Sequence, residues 1–110
     1  MKLFYRALGE TGTPVIILHG IFGTSDNWLG FGKAISENHR VFLVDQRNHG
    51  QSPWSDEFDY QVMSEDLKEF IDTHQLTNPI IIGSYIIVYT STPIEFTTHI
   101  GINIKYRTLP

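Results

Sequence analysis

Two short stretches of this 110-residue chain hold most of its chemically capable side chains. The first is His19-Gly20-Ile21-Phe22-Gly23-Thr24, which follows the apolar run Val15–Leu18. A hydrolase must stabilise an oxyanion, and backbone N–H groups aimed at it are the usual means. A glycine-rich turn after a buried strand can present them, with Ile21 or Phe22 as donor. The same residues also suit a plain tight loop, in which His19 is a hydrogen-bonded loop residue. The second stretch is Asp45-Gln46-Arg47-Asn48-His49-Gly50-Gln51-Ser52, after Val41–Val44. Asp45, Arg47 and His49 put an acid, a cation and an imidazole close together. The favoured expectation is structural: Asp45 accepts loop N–H groups, Arg47 pairs with a carboxylate, and Gly50 takes a positive φ. The chain has no cysteine, which excludes disulfides, thiolate chemistry and zinc–sulfur sites. His19, Asp45, His49 and His74 lack any recognised ligand spacing, so no metal is expected.

The elements that must position these loops are legible from the pattern. Lys2 to Leu8 reads as a first strand, closed by Gly9, Gly12 and Pro14. Val15-Ile16-Ile17-Leu18 and Val41-Phe42-Leu43-Val44 read as strands buried on both faces, as in a parallel sheet. Between them, Ser25 or Asp26 is placed to cap a short helix with Trp28, Phe31, Ala34 and Ile35 on one side. Asp59 is placed to cap a longer one. There Met63, Leu67, Phe70, Ile71 and His74 form an apolar stripe of helical period, with Glu65, Asp66, Lys68, Glu69 and Asp72 expected mostly on the other side. Pro79 to Ile82 is a third buried strand, ending at Gly83. Alternating strands and helices with short links imply an α/β fold with a parallel sheet.

Length and composition fit one small domain with a mild net charge of −4. No Lys/Arg run is present, which argues against nucleic acid as a partner. The N-terminus lacks a secretory pattern. The apolar runs are shorter than the roughly 20 residues that span a bilayer. A soluble, cytoplasmic protein is expected; the oligomeric state is not legible. After Gly83 the character changes. Residues 84–110 are rich in Ile, Thr and Tyr, with only Glu95, Lys105 and Arg107 charged. Tyr85–Thr90 reads as a strand, and Ile100–Tyr106 alternates with period 2.

Taken together, the two motifs closely resemble the α/β-hydrolase superfamily, in its small bacterial esterase group. That group carries H-G-x-F-G-[ST]-x-x-N-W, here His19 to Trp28, and D-x-R-N-H-G-x-S, here Asp45 to Ser52. The likeness covers about residues 1–83. It implies the N-terminal part of a three-layer, mostly parallel sheet fold, truncated relative to a sheet of about eight strands. It also implies an acyl-ester hydrolase with a Ser-acid-His triad, a small-molecule acyl ester as substrate and no cofactor. His19, Gly20, Ile21 and Phe22 would form the oxyanion loop and acyl pocket. Asp45, Arg47, Asn48, His49, Gly50 and Ser52 would be structural or pocket-rim residues.

The resemblance stops where the nucleophile should stand. A G-x-S-x-G elbow sets its serine on a crowded strand-to-helix turn, and the glycines relieve the crowding. Here Gly83 leads into Ser84-Tyr85-Ile86-Ile87. Tyr85 occupies the nucleophile position and Ile87 replaces the closing glycine. If Ser84 is taken as the nucleophile instead, its flanks are Ile82 and Ile86, both β-branched. Glu95 and His99 follow in triad order, with no room for the intervening elements. The abrupt change at Ser84 suggests a shifted reading frame, a read-through or a gene fragment, with 1–83 the hydrolase part and 84–110 a divergent tail. The leading expectation is an esterase-related chain that is itself inactive. The alternatives are a non-catalytic acyl-binding module and an unconventional enzyme site built from His19, His49 and Ser84.

Overall fold

A computed structural model of the protein describes residues 1–20, 23–83, 86–90 and 104–108, the last two stretches as backbone strands. In chain order the elements are β1 (Tyr5–Leu8), β2 (Thr13–Leu18), a 3-10 turn (Ser25–Trp28), α1 (Leu29–Ile35), β3 (His39–Val44), α2 (Tyr60–Thr73), β4 (Ile80–Gly83), β5 (Ile86–Thr90) and β6 (Ile104–Thr108).

Four strands form one sheet in the order β1-β3-β2-β4. β2 pairs in parallel with β3 on one side and β4 on the other, while β1 runs antiparallel to β3. The sheet is thus mostly parallel, and only its first strand departs. The β-branched run Val15-Ile16-Ile17 suits a strand because both pleated faces have something to pack against. On one face, Ile16, Leu18, Phe42, Val44 and Ile81 meet Leu67 and Phe70 of α2. On the other, Val15, Ile17, Val41, Leu43 and Ile82 meet Trp28, Leu29, Phe31 and Ile35 of the turn and α1. These are the three layers of an α/β domain. α1 lies close to β3 because Gly32 has no side chain; a Cβ there would stand 3.0 Å from Leu43 Cδ2 and 3.3 Å from Leu8 Cδ1.

The register decides where the two motif loops emerge. Leu18 stands opposite both Val44 and Gly83. β2, β3 and β4 therefore end level at one side of the sheet, the carboxyl end where α/β folds place their sites.

Three local expectations need correction. β1 begins at Tyr5, not Lys2. The first helical segment is capped by Thr24 rather than Ser25 or Asp26: the Thr24 side chain accepts from Asp26 N–H, and Asn27 reaches back to the Thr24 backbone. The turn also starts as 3-10 before becoming α. The tail strand read at Tyr85–Thr90 is seen as β5 at Ile86–Thr90, which pairs with β6 in a separate parallel pair and lies alongside α2. Asp59 caps α2 as expected, accepting from Val62 N–H at 2.8 Å. His74, at the end of the stripe, stands edge-on to Tyr5 with ring centroids 4.7 Å apart.

Leu43 is fully buried between β1, α1 and β2. Leu43→Ala should lower unfolding free energy by about 2–5 kcal/mol, the cost of the lost transfer plus a cavity. Trp54→Ala, at a residue 77% exposed, should stay within about 0.5 kcal/mol. Urea unfolding of both variants checks this contrast.

Candidate functional site

The loop after β2 is bound to the loop after β3 by His19 and Gln46. His19 is 1% exposed. Its Nε2 lies 2.9 Å from the Gln46 backbone N–H, and its Nδ1 lies 2.8 Å from the Gly20 carbonyl. A backbone N–H can only donate, so Nε2 is the acceptor and the ring proton sits on Nδ1, donating to Gly20. The Gln46 side-chain amide then donates to the His19 carbonyl at 2.7 Å. Gln46 therefore grips His19 twice, at ring and backbone. The Gly20 carbonyl also accepts the Gly23 N–H at 3.0 Å. Gly20 and Gly23 are held in this way. Burial is the largest influence on His19 and pushes its imidazole below the usual histidine range. The Gly20 carbonyl works against that, the His49 ring with it, and the Asp45 carboxylate against it. The His19 and His49 ring centroids are 5.0 Å apart.

Asp45 organises the second loop. One carboxylate oxygen accepts the Ser25 N–H at 2.7 Å and the other the Gln51 N–H at 3.0 Å. Burial tends to raise its pKa, but the bonds from Gln51 and Ser25 and the nearby His19 prevail, and the group lies below the usual carboxylate value. Gly50 has φ +51°, and a Cβ there would stand 2.3 Å from Asp45 Oδ2. Both its backbone conformation and its closeness to the carboxylate require glycine. Ser52 donates to the Asp45 carbonyl and accepts from Phe4 N–H, which ties the loop to the N-terminal segment.

Arg47 is pinned by a fork. Its Nε and Nη2 donate to the two oxygens of Asp66 at 2.6 and 2.9 Å, and Nη1 donates to the Glu57 carbonyl at 2.8 Å. Arg47 and Asp66 are both buried. Asp66 first, and then Glu57 and Asp59, hold the guanidinium firmly in its charged form against the opposing effect of burial. Asn48, at φ +63°, exchanges two hydrogen bonds with Ser55 through its side-chain amide. Asn tolerates that left-handed conformation better than most residues. His49 Nδ1 donates to the Arg47 carbonyl at 2.8 Å, and its ring also lies near Phe58.

His19, Gly20, Asp45, Arg47, Asn48, His49, Gly50 and Ser52 are therefore gathered at one end of the sheet. Ile21, Phe22, Ser84, Tyr85, Glu95 and His99 lie outside the described residues. Among the described residues, no three His, Asp or Glu side chains converge as a metal site. Two participants escaped the sequence reading. Asp66 does not lie on the solvent side of α2 as expected; it is buried. The signal was present, because Asp66 stands at i+3 from Met63 and i−4 from Phe70, on the apolar face. Gln46 carried no signal, since a glutamine in a polar loop is ordinary until its partner is known.

A three-layer, mostly parallel sheet with glycine-turn and acid-turn loops locked at its carboxyl end defines a class, and comparison with known families names it. The alpha/beta hydrolase fold family matches residues 13–84, and the chain belongs to that family. A Saccharomyces cerevisiae protein named "Probable alcohol acetyltransferase" is 49% identical over 80 residues, 68% of this chain and 23% of that protein. Esterase YbfF of Escherichia coli is 34% identical over 87 residues, 76% of this chain and 34% of its own length. Among solved structures, a marine microorganism esterase superposes with a TM-score of 0.72 at 37% identity, over 80% of this chain and 41% of that one. The chain thus spans about a quarter to a third of these two curated relatives.

Two measurements probe the loop electrostatics. Asp66→Ala leaves the Arg47 guanidinium buried without its carboxylate and should cost about 3–5 kcal/mol; replacing both partners by apolar residues should cost less. Urea unfolding of the single and double variants compares them. Asp45, with its depressed pKa, contributes stability present above its unfolded value of about 3.9 and lost as pH falls through that value toward the folded one. Asp45→Asn should flatten acid unfolding below the ordinary carboxylate value of about 3.9, read by circular dichroism.

Proposed function

We propose that residues 1–83 are the N-terminal part of an acyl-ester hydrolase domain of the esterase/lipase type. On this reading residues 84–110 diverge from the domain, and the chain alone turns over no ester. The observation that carries this reading is the element after β4. A nucleophile elbow needs a strand-to-helix turn with small flanking residues. Here Gly83 is followed within three residues by another strand, β5, at Ile86–Thr90. The residues in between, Ser84-Tyr85, and Ile87 beyond them offer neither a central serine nor a closing glycine. Loss of a triad member lowers turnover by about four orders of magnitude or more. The relatives named above include both esterases and acyltransferases, which share an acyl group as cargo; a small-molecule acyl ester is the substrate class this reading assigns to the complete site. Nucleic acid has no place in it. A cytoplasmic location belongs to the same reading; among the described residues no helix is long and apolar enough to cross a membrane.

One observation favours a second reading, a non-catalytic acyl-binding module. Among the described residues, the hydrogen bonds that hold His19, Gly20, Gly23 and Ser25 all come from residues between His19 and Gln46. A short-chain acyl compound raising the melting temperature in proportion to its occupancy would support that module.

Assayed with p-nitrophenyl butyrate, the protein should hydrolyse no faster than the solvent background, and Ser84→Ala should leave that rate unchanged. Turnover above background that Ser84→Ala abolishes would overturn the inactive reading and establish Ser84 as a nucleophile.

A further inference from the structure

The His19–Gln46 contact has a chemical asymmetry. The Nδ1–H bonds of His19 to Gly20 and of His49 to Arg47 both use the ring as a donor. A protonated imidazole keeps such bonds. The Nε2 bond of His19 uses the ring as an acceptor, from the Gln46 N–H at 2.9 Å. A proton on Nε2 would face another N–H at that distance, in a site 1% exposed to solvent. Two donors cannot share that line, and no water can take the place of either.

From this geometry we propose that His19 is an acid-sensitive latch. The ring of His19 joins the loops after β2 and β3 while its imidazole is neutral, and protonation breaks that bond, so that His19 is held to Gln46 by the Gln46 side-chain amide alone. As regulation of the candidate site, this rests on the oxyanion-loop reading of His19–Thr24; the latch itself stands on the hydrogen bonds alone. The charged and titratable groups acting on His19 are Asp45 and His49, both from the loop after β3. From the 3-10 turn, Asn27 faces Gly23 and is neutral, and Asp26 pairs with Arg6. β4 meets the end of β2 at Gly83 and adds no charge among the described residues. Burial depresses the imidazole, so the unfolded or released state binds the proton more readily. The latch is therefore fully closed above the ordinary histidine value of about 6.5 and weakens as pH falls below it.

Amide hydrogen exchange and imidazole ¹⁵N shifts of the full chain, followed from pH 7.5 to 5, test the latch without any ester. At pH 7.5 His19 should carry its proton on Nδ1 and none on Nε2. Corrected for intrinsic rates, the protection of the Gln46 amide should fall about tenfold per pH unit below about 6.5 until the closed-state pKa is reached. In His19→Gln, whose side-chain oxygen accepts the same N–H at every pH, that protection should be flat. A proton on Nε2 at pH 7.5, constant Gln46 protection in the native chain, or a pH dependence that survives in His19→Gln would each overturn the proposal. If that variant does not fold, the native chain decides: the loss of protection must level off at the pH where the His19 ring itself titrates, and a loss that continues unchanged past that pH refutes the latch. None of these readouts depends on hydrolysis, so an inactive chain and a failed latch are distinguishable results.

Discussion

Everything at the candidate site depends on three strands ending level. β3, β2 and β4 are parallel and in register, with Leu18 opposite Val44 and Gly83. Parallel pairing makes this possible, because consecutive parallel strands all release their loops at the same end. A shift of one residue would also turn each strand's two apolar faces over. Here both faces are committed, one to α2 and the other to α1. Packing on two sides therefore fixes the register, and the register delivers His19 and Asp45 to one place.

The loops are then joined by two kinds of polar contact with different physics. Arg47 and Asp66 are a buried ion pair with a forked geometry and a further carbonyl partner. Such a pair holds position strongly because breaking either half strands a charge, even though the pair as a whole adds little net stability. His19 and Gln46 are a neutral contact of two hydrogen bonds, one to a ring lone pair and one to the His19 carbonyl. The first contact fastens the acid-turn loop to α2. The second fastens the glycine turn to the acid-turn loop. Thr24 and Asp45 finish the arrangement by capping the segment that starts at Ser25.

On the proposed reading, the break with the esterase pattern after Gly83 has its physical basis in side-chain bulk. A catalytic elbow tolerates crowding only where neighbouring residues are small. Beyond Gly83 this chain has Tyr85, Ile86, Ile87 and Val88. β-branched and aromatic residues favour extended backbone, and residues 86–90 are a strand that pairs with β6. The same preference that makes β2 a good central strand works against a turn into a helix at this point.

The sequence alone determined the buried strands, the α2 stripe with its Asp59 cap and the family resemblance. Each is a local property: a β-branched run, a 3.6-residue period, a motif. The hydrogen-bonding of Asp45, Arg47 and Gly50 was legible in kind, because an acid, a guanidinium and a glycine in a tight loop have few physical options. The identities of their partners were not. Asp66 is nineteen residues from Arg47 and His19 is twenty-seven from Gln46, and no local pattern links positions so far apart. The antiparallel turn of β1 onto β3, the Thr24 cap and the pairing of β5 with β6 were likewise settled in three dimensions. Only the folded register brings those groups within 3 Å, and only there is the His19 ring buried against the Gln46 N–H.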